Sequence, residues 1–385
     1  MTYLEEIYST LTRLRASKMK IAIVHDHLCG KGGSERIFQY ICEAFPEADA
    51  YTLALNTKKT FPYFSHRLIR TTWLQPFIRS SRAFRWLFVL GTYTMEALDF
   101  SKYDLVISSS TTTAKYLKAP KGRHFCYCYM PTRALWHFES YFGKSKMAYF
   151  LRPFLSFLKR RDYVAAQCID RFFTISESSK NYICQYYDRE AEVLYCPIDT
   201  NNFIFKTKKK DHYLIVSRLE YWKRVDYAIE AFNRLGFPLK VIGAGAEEEK
   251  LRMMAKENVQ FLGEVDDQTL AKEYSECKAV IFTPFLEYGL IPLEANASGT
   301  PVIAYGKGGI RETMIPEKTA LFFEEQTPES LAACVRRAEH FPFDPNILRN
   351  HALQWDRAPF VRRFREKMLS AAEALLNKPD LQSRL

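Results

Sequence analysis

No two cysteines stand as Cys-x-x-Cys, although the 385-residue chain holds nine. An odd number scattered along a long chain predicts buried, reduced thiols rather than a disulfide framework or a zinc site. Cys126 and Cys128 alternate on one face of a short strand. An Asp-x-Asp metal motif is also missing, and Asp266-Asp267 reads as a helix cap instead. No run of eighteen uncharged apolar residues occurs, so no spanning helix is predicted. Residues 1–18 are mixed and charged, without the apolar run and cleavage site of a leader. They form an N-terminal extension, an added helix or a start-site artefact, ahead of a domain that begins near Met19-Lys20. Acidic residues are in deficit: 55 Lys and Arg face 44 Asp and Glu, a net charge of +11. That balance suits nucleotide phosphates, nucleic acid or an anionic membrane without choosing among them. With 47% hydrophobic and 26% charged residues, the chain is neither disordered nor fibrous, and its length predicts two or three domains.

What is present is a repeating order of strand and helix. Lys20–Val24 is a short β-branched run, Gly30–Gly33 a glycine loop, and Ser34 can cap a helix carrying Ile37, Ile41 and Ala44 on one face. Leu105–Ser108, His124–Tyr129, Phe172–Ile175 and Val193–Tyr195 read as further strands. Near residues 197–202 the pattern restarts. Strands are predicted at Tyr213–Val216, Pro238–Ile242, Val259–Leu262, Ala279–Phe282, Pro301–Ala304 and Ala320–Phe323, and helices at Val225–Leu235 and Glu247–Glu257. Such alternation predicts parallel sheets covered on both faces. The expected architecture is α/β: two doubly wound, Rossmann-like domains, 19–198 and 199–356, facing across a cleft that holds the site. A last helix, about Pro359–Leu376, closes the chain.

Two segments carry chemistry. In Phe282–Ala304 a strand ends at Pro284, the loop turns at Gly289, and Pro292 opens a helix. Amides near Leu290–Leu293, with the positive end of the helix dipole, form an anion site, and Glu294 in the first turn can accept two ribose hydroxyls. Directly after the strand Tyr213–Val216 comes Ser217-Arg218-Leu219-Glu220-Tyr221-Trp222-Lys223-Arg224. Arg218 and Lys223 can clamp a diphosphate there; read alone, the same residues also suit a solvated basic loop. Gly243-Ala244-Gly245 lacks the third glycine and the acidic residue of a dinucleotide fingerprint, which argues against a nicotinamide dehydrogenase.

Residues 213–315 resemble the carboxyl-terminal domain of the retaining, nucleotide-sugar-dependent glycosyltransferases of family 4, which have the GT-B fold. The matching pieces are 217–224, Val-Ile-Gly-Ala-Gly at 241–245, Phe-Leu-Gly-Glu-Val at 261–265, Glu-Tyr-Gly-Leu-Ile-Pro-Leu-Glu-Ala at 287–295, Gly299-Thr300-Pro301-Val302 and Gly308-Gly309-Ile310-Arg311-Glu312. Gly32-Gly33-Ser34-Glu35-Arg36 and Pro131-Thr132-Arg133-Ala134-Leu135-Trp136 look like its mannosyltransferase-like branch, and Tyr195-Cys196-Pro197-Ile198-Asp199 resembles the joining segment. The resemblance implies transfer of a hexose, mannose from GDP-mannose among the options, from a GDP- or UDP-linked sugar to a glycan or lipid-linked acceptor, with retention and without a metal or other cofactor. It implies that Arg218, Lys223, Gly263, Gly289, Leu290, Ile291 and Glu294 hold the donor. By the same likeness Gly32 and Gly33 let a loop approach the sugar, Glu287, Tyr129 and Arg133 are the catalytic candidates, and helix 357–376 crosses back to the first domain. Two positions depart from the family: Leu286 stands where a first Glu is usual, with Glu287 one step late, and Tyr129 stands where His is frequent.

Phe61–Phe88 and Phe142–Arg161 interleave aromatic and basic residues. They suit a membrane interface, single-stranded nucleic acid, or a core with a solvated basic face. The resemblance turns this toward membrane contact and away from nucleic acid, so the expected location is the cytoplasm, free or peripheral on the inner face of a membrane. The competing functions are a catalytically impaired donor-binding scaffold and a nucleotide-sugar epimerase on the same fold.

Overall fold

The computed structural model describes residues 19–138 and 152–376. The extension 1–18 and much of the second aromatic–basic segment, Phe142 to Phe150, lie outside the described residues. The chain forms two compact units, one of residues up to Tyr195 together with Phe360 onward, the other Cys196–Pro359.

The first unit is built on a seven-stranded parallel sheet of order β3-β2-β1-β4-β5-β6-β7. Its strands are β1 (Ile21–His25), β2 (Asp49–Thr52), β3 (Ile69–Arg70), β4 (Leu105–Ser110), β5 (His124–Cys128), β6 (Arg171–Thr174) and β7 (Ala191–Val193). Helices α1 (Gly33–Ala44), α2 (Ser81–Glu96), α3 (Arg133–Trp136), α4 (Arg152–Gln167) and α5 (Glu177–Tyr187) connect them. β1, β4 and β5 are buried along their whole length, as strands covered on both faces must be. Ser34 does not cap α1: Gly32 is the cap, and the Ser34 hydroxyl donates to Glu35. None of the nine cysteines is in a disulfide, and Cys126 and Cys128 are buried.

The second unit has a six-stranded parallel sheet of order β10-β9-β8-β11-β12-β13. These are β8 (Tyr213–Val216), β9 (Leu239–Ile242), β10 (Val259–Gly263), β11 (Val280–Phe282), β12 (Val302–Tyr305) and β13 (Ala320–Phe323). The helices are α6 (Val225–Leu235), α7 (Glu248–Met254), α8 (Asp267–Glu276), α9 (Leu290–Ala297), α10 (Ile310–Thr313), α11 (Pro328–Ala338) and α12 (Pro345–Leu353). Asp266 caps α8, its carboxylate accepting Thr269 N–H at 2.7 Å. The last helix, α13 (Arg357–Leu376), belongs to the first unit from Phe360 on. There Arg365 donates to Ala44 O, and Phe364 meets Tyr127 edge-on.

Both sheets reverse direction once. The chain lays β1 to β3 to one side and then crosses to put β4 beside β1; likewise β11 lies beside β8. Loops leaving such adjacent strands in opposite directions open a crevice at their carboxyl ends, where doubly wound sheets take ligands.

Three histidines of the first sheet set its acid response. Burial pushes His25, His27 and His124 below the ordinary imidazole range, His124 to about 3. Neutral when folded and near 6.5 when unfolded, each gains its proton only on unfolding as the pH falls. Their share of the stability is therefore full above pH 6.5 and is lost as the pH falls below it, for His124 by about 1.4 kcal/mol per pH unit down to about 3. Urea unfolding at pH 7.5 and 5.5 should show that decline, and His124→Gln should shrink it by one histidine's share. Equal stability at the two pH values would contradict the burial of neutral rings.

Candidate functional site

In the second unit the crevice lies between the loop after β8, 217–224, and the loop after β11, 283–289. They are joined directly: Thr283 Oγ1 donates to Lys223 O at 2.8 Å. A 3₁₀ turn, Tyr221–Lys223, precedes α6. Lys223 is 9% exposed and its ammonium stands 4.3 Å from the Trp222 ring centroid. The guanidinium of Arg218, an exposed residue, lies 5.6 Å from the same centroid. One indole thus orients both cations. Arg224 departs from them, bonding Asp226 at 2.9 and 3.1 Å and stacking on Tyr227.

The loop after β8 is laced to the loops after β9 and β10. Leu219 N–H donates to Ala244 O, Glu247 N–H to Leu219 O, and Gly243 N–H to Gly263 O. At Gly243 a Cβ would fall 1.9 Å from Ser217 O, on a backbone already at φ +123°. These glycines serve chain-to-chain contact, and Gly263, at φ +68°, supplies the carbonyl that holds Gly243.

On the other side of the crevice, α9 begins at Leu290, with Gly289 as cap. Pro292 is consequently the third helical residue and not the first, and Glu294 falls in the second turn. The first-turn donors are Leu290, Ile291 and Leu293. Glu294 receives the Tyr274 hydroxyl at 2.8 Å, a partner from α8 that the sequence reading missed; a tyrosine on a helix looks like any other core residue. Burial, then the Glu294 charge, raises the Tyr274 phenol well above its usual range, so it stays a donor. The Leu286 side chain belongs to the core with Phe282, Leu293 and Ile310, while Glu287 is buried beside it. Gly308-Gly309 closes over this loop: Gly309 N–H donates to Leu286 O, and a Gly309 Cβ would fall 1.8 Å from Glu287 O. Arg218, Lys223, Gly263, Glu287, Gly289, Leu290, Ile291 and Glu294 therefore belong to loops and ends on the carboxyl edge of one sheet.

Gly32, Gly33, Tyr129 and Arg133 belong to the first unit. At Gly32 the close approach is to Glu35, whose Oε2 would lie 2.5 Å from a Cβ. The Tyr129 hydroxyl donates to Ser34 O at 3.1 Å and pairs with Ser109 Oγ, which in turn meets His25 Nδ1 at 3.0 Å. Arg133 Nε donates to Met130 Sδ. His27, also missed, stacks on Phe84, and neither of its buried ring nitrogens has a partner among the described residues.

The two crevices differ in charge. In the first unit Asp26 fills the turn between β1 and β4. Its carboxylate accepts the amides of Thr111, Thr112, Thr113 and Ala114 at 2.6–3.1 Å. Burial opposes its charge, but the Thr111 hydroxyl and these amides prevail and hold it below the usual carboxylate range. An anion of the chain itself occupies that turn. The crevice of the second unit is bordered instead by Arg218, Lys223 and a helix N-terminus, which suit an anion from outside.

Residues 198–355 match the family model described as glycosyl transferases group 1. The chain is 30% identical over 185 residues to the glycogen synthase of Mycobacterium tuberculosis, covering 43% of this chain and 45% of that protein. It is 30% identical over 155 residues to an alpha-1,3/1,6-mannosyltransferase of Dictyostelium discoideum, 32% of this chain and 36% of the other. The chain thus spans about half or less of the length of these relatives. Sucrose-phosphate synthase from Thermosynechococcus elongatus shares the fold with a TM-score of 0.71 at 16% identity, covering 93% of this chain and all of that one. Anabaena HepE, solved in complex with UDP and glucose, gives 0.65 at 18% identity over 91% of this chain and all of that one. The architecture is GT-B.

Proposed function

We propose that this chain, whose residues 198–355 match the family model of the group 1 glycosyl transferases, transfers a hexose from a nucleotide sugar to a hydroxyl of a glycan or lipid-linked acceptor. The observation that carries this reading is that the loop after β8, which holds Arg218 and Lys223, is bonded through Thr283 to the loop after the adjacent strand β11, which leads into α9 and Glu294. A nucleoside diphosphate matches that set: cations and amides for the pyrophosphate, a carboxylate for the ribose hydroxyls. The UDP-glucose with which HepE was also solved in complex and the mannosyl transfer named for the Dictyostelium relative make UDP-glucose and GDP-mannose the first donors to test.

In the reaction the bond from the sugar's anomeric carbon to the β-phosphate oxygen breaks, and a bond to the acceptor oxygen forms on the same face, with retention. The acceptor's proton passes to the departing phosphate oxygen, so no protein base and no metal is called for. Negative charge grows on the pyrophosphate as it leaves. Arg218, Lys223 and the amides of Leu290 and Ile291 stabilise that charge most at the transition state, where preorganised donors have their largest effect. Incubation with a panel of sugar nucleotides, following nucleoside diphosphate release, tests the reading. Release with one donor is expected. Binding without release from any donor would assign the protein as a scaffold, a role to which the core position of Leu286 and the engaged hydroxyl of Tyr129 would then belong; sugar interconversion without transfer would make it an epimerase.

A further inference from the structure

From Ala50 to Met95 the chain runs through 46 residues without one Asp or Glu, while seven are Lys or Arg. Those seven supply most of the net charge of +11. Folding places the end of this stretch on the surface of the first unit. Along α2, Trp86, Leu90 and Tyr93 follow one another at helical spacing, and all three are exposed, Trp86 to 85%. Arg82 and Arg85 are exposed beside them. Ahead of α2, Trp73 and Phe77 are each 60% exposed and touch edge-on.

The surface continues onto α4. The Arg161 guanidinium lies 3.6 Å from the Tyr93 ring centroid and bonds Glu96 at 2.8 Å. On α4, Phe154, Phe157 and Val164 share the face of Arg161, and all three are exposed. Carboxylates are nearly missing. Glu96, the one acid of α2, is paired with Arg161 and Lys118. Asp162, the one acid of α4, is buried against Lys115.

Soluble surfaces seldom gather so many large apolar groups, and here the groups alternate with uncompensated guanidinium ions. Aromatic rings favour the headgroup layer of a bilayer, and cations favour anionic lipid there. Nucleic acid would use the rings and cations but gains nothing from Leu90 or Val164. We propose that the α2–α4 face of the first unit docks on an anionic lipid bilayer, with Trp86 and its neighbours at headgroup depth and Arg82 and Arg85 on lipid phosphates. The proposal is independent of the transferase reading, because it predicts binding without any sugar nucleotide.

The test is flotation of the full chain with vesicles of phosphatidylcholine, alone and with phosphatidylglycerol. Partitioning should rise at least about tenfold with phosphatidylglycerol and fall again at high salt. Arg82→Glu combined with Arg85→Glu should lower it at least about twentyfold, and Trp86→Ala should weaken it further. These side chains are exposed, so the thermal melt should not change. Lys256→Glu with Arg336→Glu, an equal charge change on exposed positions of the second unit, should leave partitioning within about twofold. Equal binding to both vesicles, no binding to either, or equal loss in the control pair would overturn the proposal. So would a single-stranded oligonucleotide bound without lipid and lost in the Arg82/Arg85 variant, or a dimer dissolved by Trp86→Ala; these would give the face to nucleic acid or to a second copy.

Discussion

Asp162→Ala is expected to destabilise the first unit by about 3–5 kcal/mol, the usual cost of stranding one member of a buried ion pair. Lys115 and Asp162 lie 3.0 Å apart with both side chains wholly buried. The carboxylate also accepts the hydroxyls of Tyr116 and Tyr187 and the indole N–H of Trp136, at 2.6–2.7 Å, and that of Thr132 at 3.2 Å. Burial works against the Lys115 charge, yet the adjacent carboxylate outweighs it and holds the ammonium above its ordinary range. Removing Asp162 leaves a cation and four donors facing a hole. Asp162→Asn should cost nearly as much, because an amide brings two more donors and keeps one acceptor. Urea unfolding measures the loss, and a cycle with Lys115→Met should be non-additive by more than about 1 kcal/mol. A loss below about 1 kcal/mol for Asp162→Ala would show that the network is not closed. The consequence reaches the site as well. Thr132 and Trp136 flank Arg133, so this network holds the segment that carries one catalytic candidate, and turnover should fall in any variant that still folds.

That network was not legible in the sequence, and the reason is physical. Lys115 and Asp162 are 47 positions apart, and each stands in a polar context that reads as solvated surface. Only the fold brings them together. Asp26 was hidden in the same way: its partners are backbone amides 85 to 88 positions distant, which carry no residue signature. The strands β2 and β3 were missed because Asp49–Thr52 is short and half polar and Ile69–Arg70 spans two residues at the sheet edge. By contrast, Tyr213–Val216, Ala320–Phe323 and Val225–Leu235 have the bounds their patterns predicted. Strands buried on both faces are unbroken apolar runs, and α6 has a clean apolar face, so periodicity alone marks them. The motifs after β8 and β11 were legible as pieces. Their meeting at one crevice followed from the strand order, and the details that set their chemistry, Trp222 beneath two cations and Tyr274 on Glu294, came from side-chain packing.

Lys223→Ala is expected to weaken binding of the nucleoside diphosphate by about a hundredfold, and Arg218→Ala by about tenfold, within the range for charge-assisted hydrogen bonds. The order follows from burial. Lys223 is nearly sealed from solvent, so its attraction for a phosphate is little screened. Arg218 is exposed, and water and salt weaken its share. The Lys223→Ala loop should keep its place, because Thr283 bonds the backbone carbonyl at that position and not the side chain. Arg224→Ala provides the contrast. Its guanidinium is already committed to Asp226 and Tyr227, so donor affinity should change less than about threefold although the same charge is lost. Calorimetric titration with the diphosphate released by the active donor reads all three. The turnover rate should fall along with affinity in Lys223→Ala, since a cation that meets charge as it develops lowers the barrier as well as the ground state. Unchanged affinity in both Lys223→Ala and Arg218→Ala would remove the pyrophosphate from this crevice. An equal loss in Arg224→Ala would mean that the loop attracts anions through its net charge alone and that the geometry around Trp222 is without consequence.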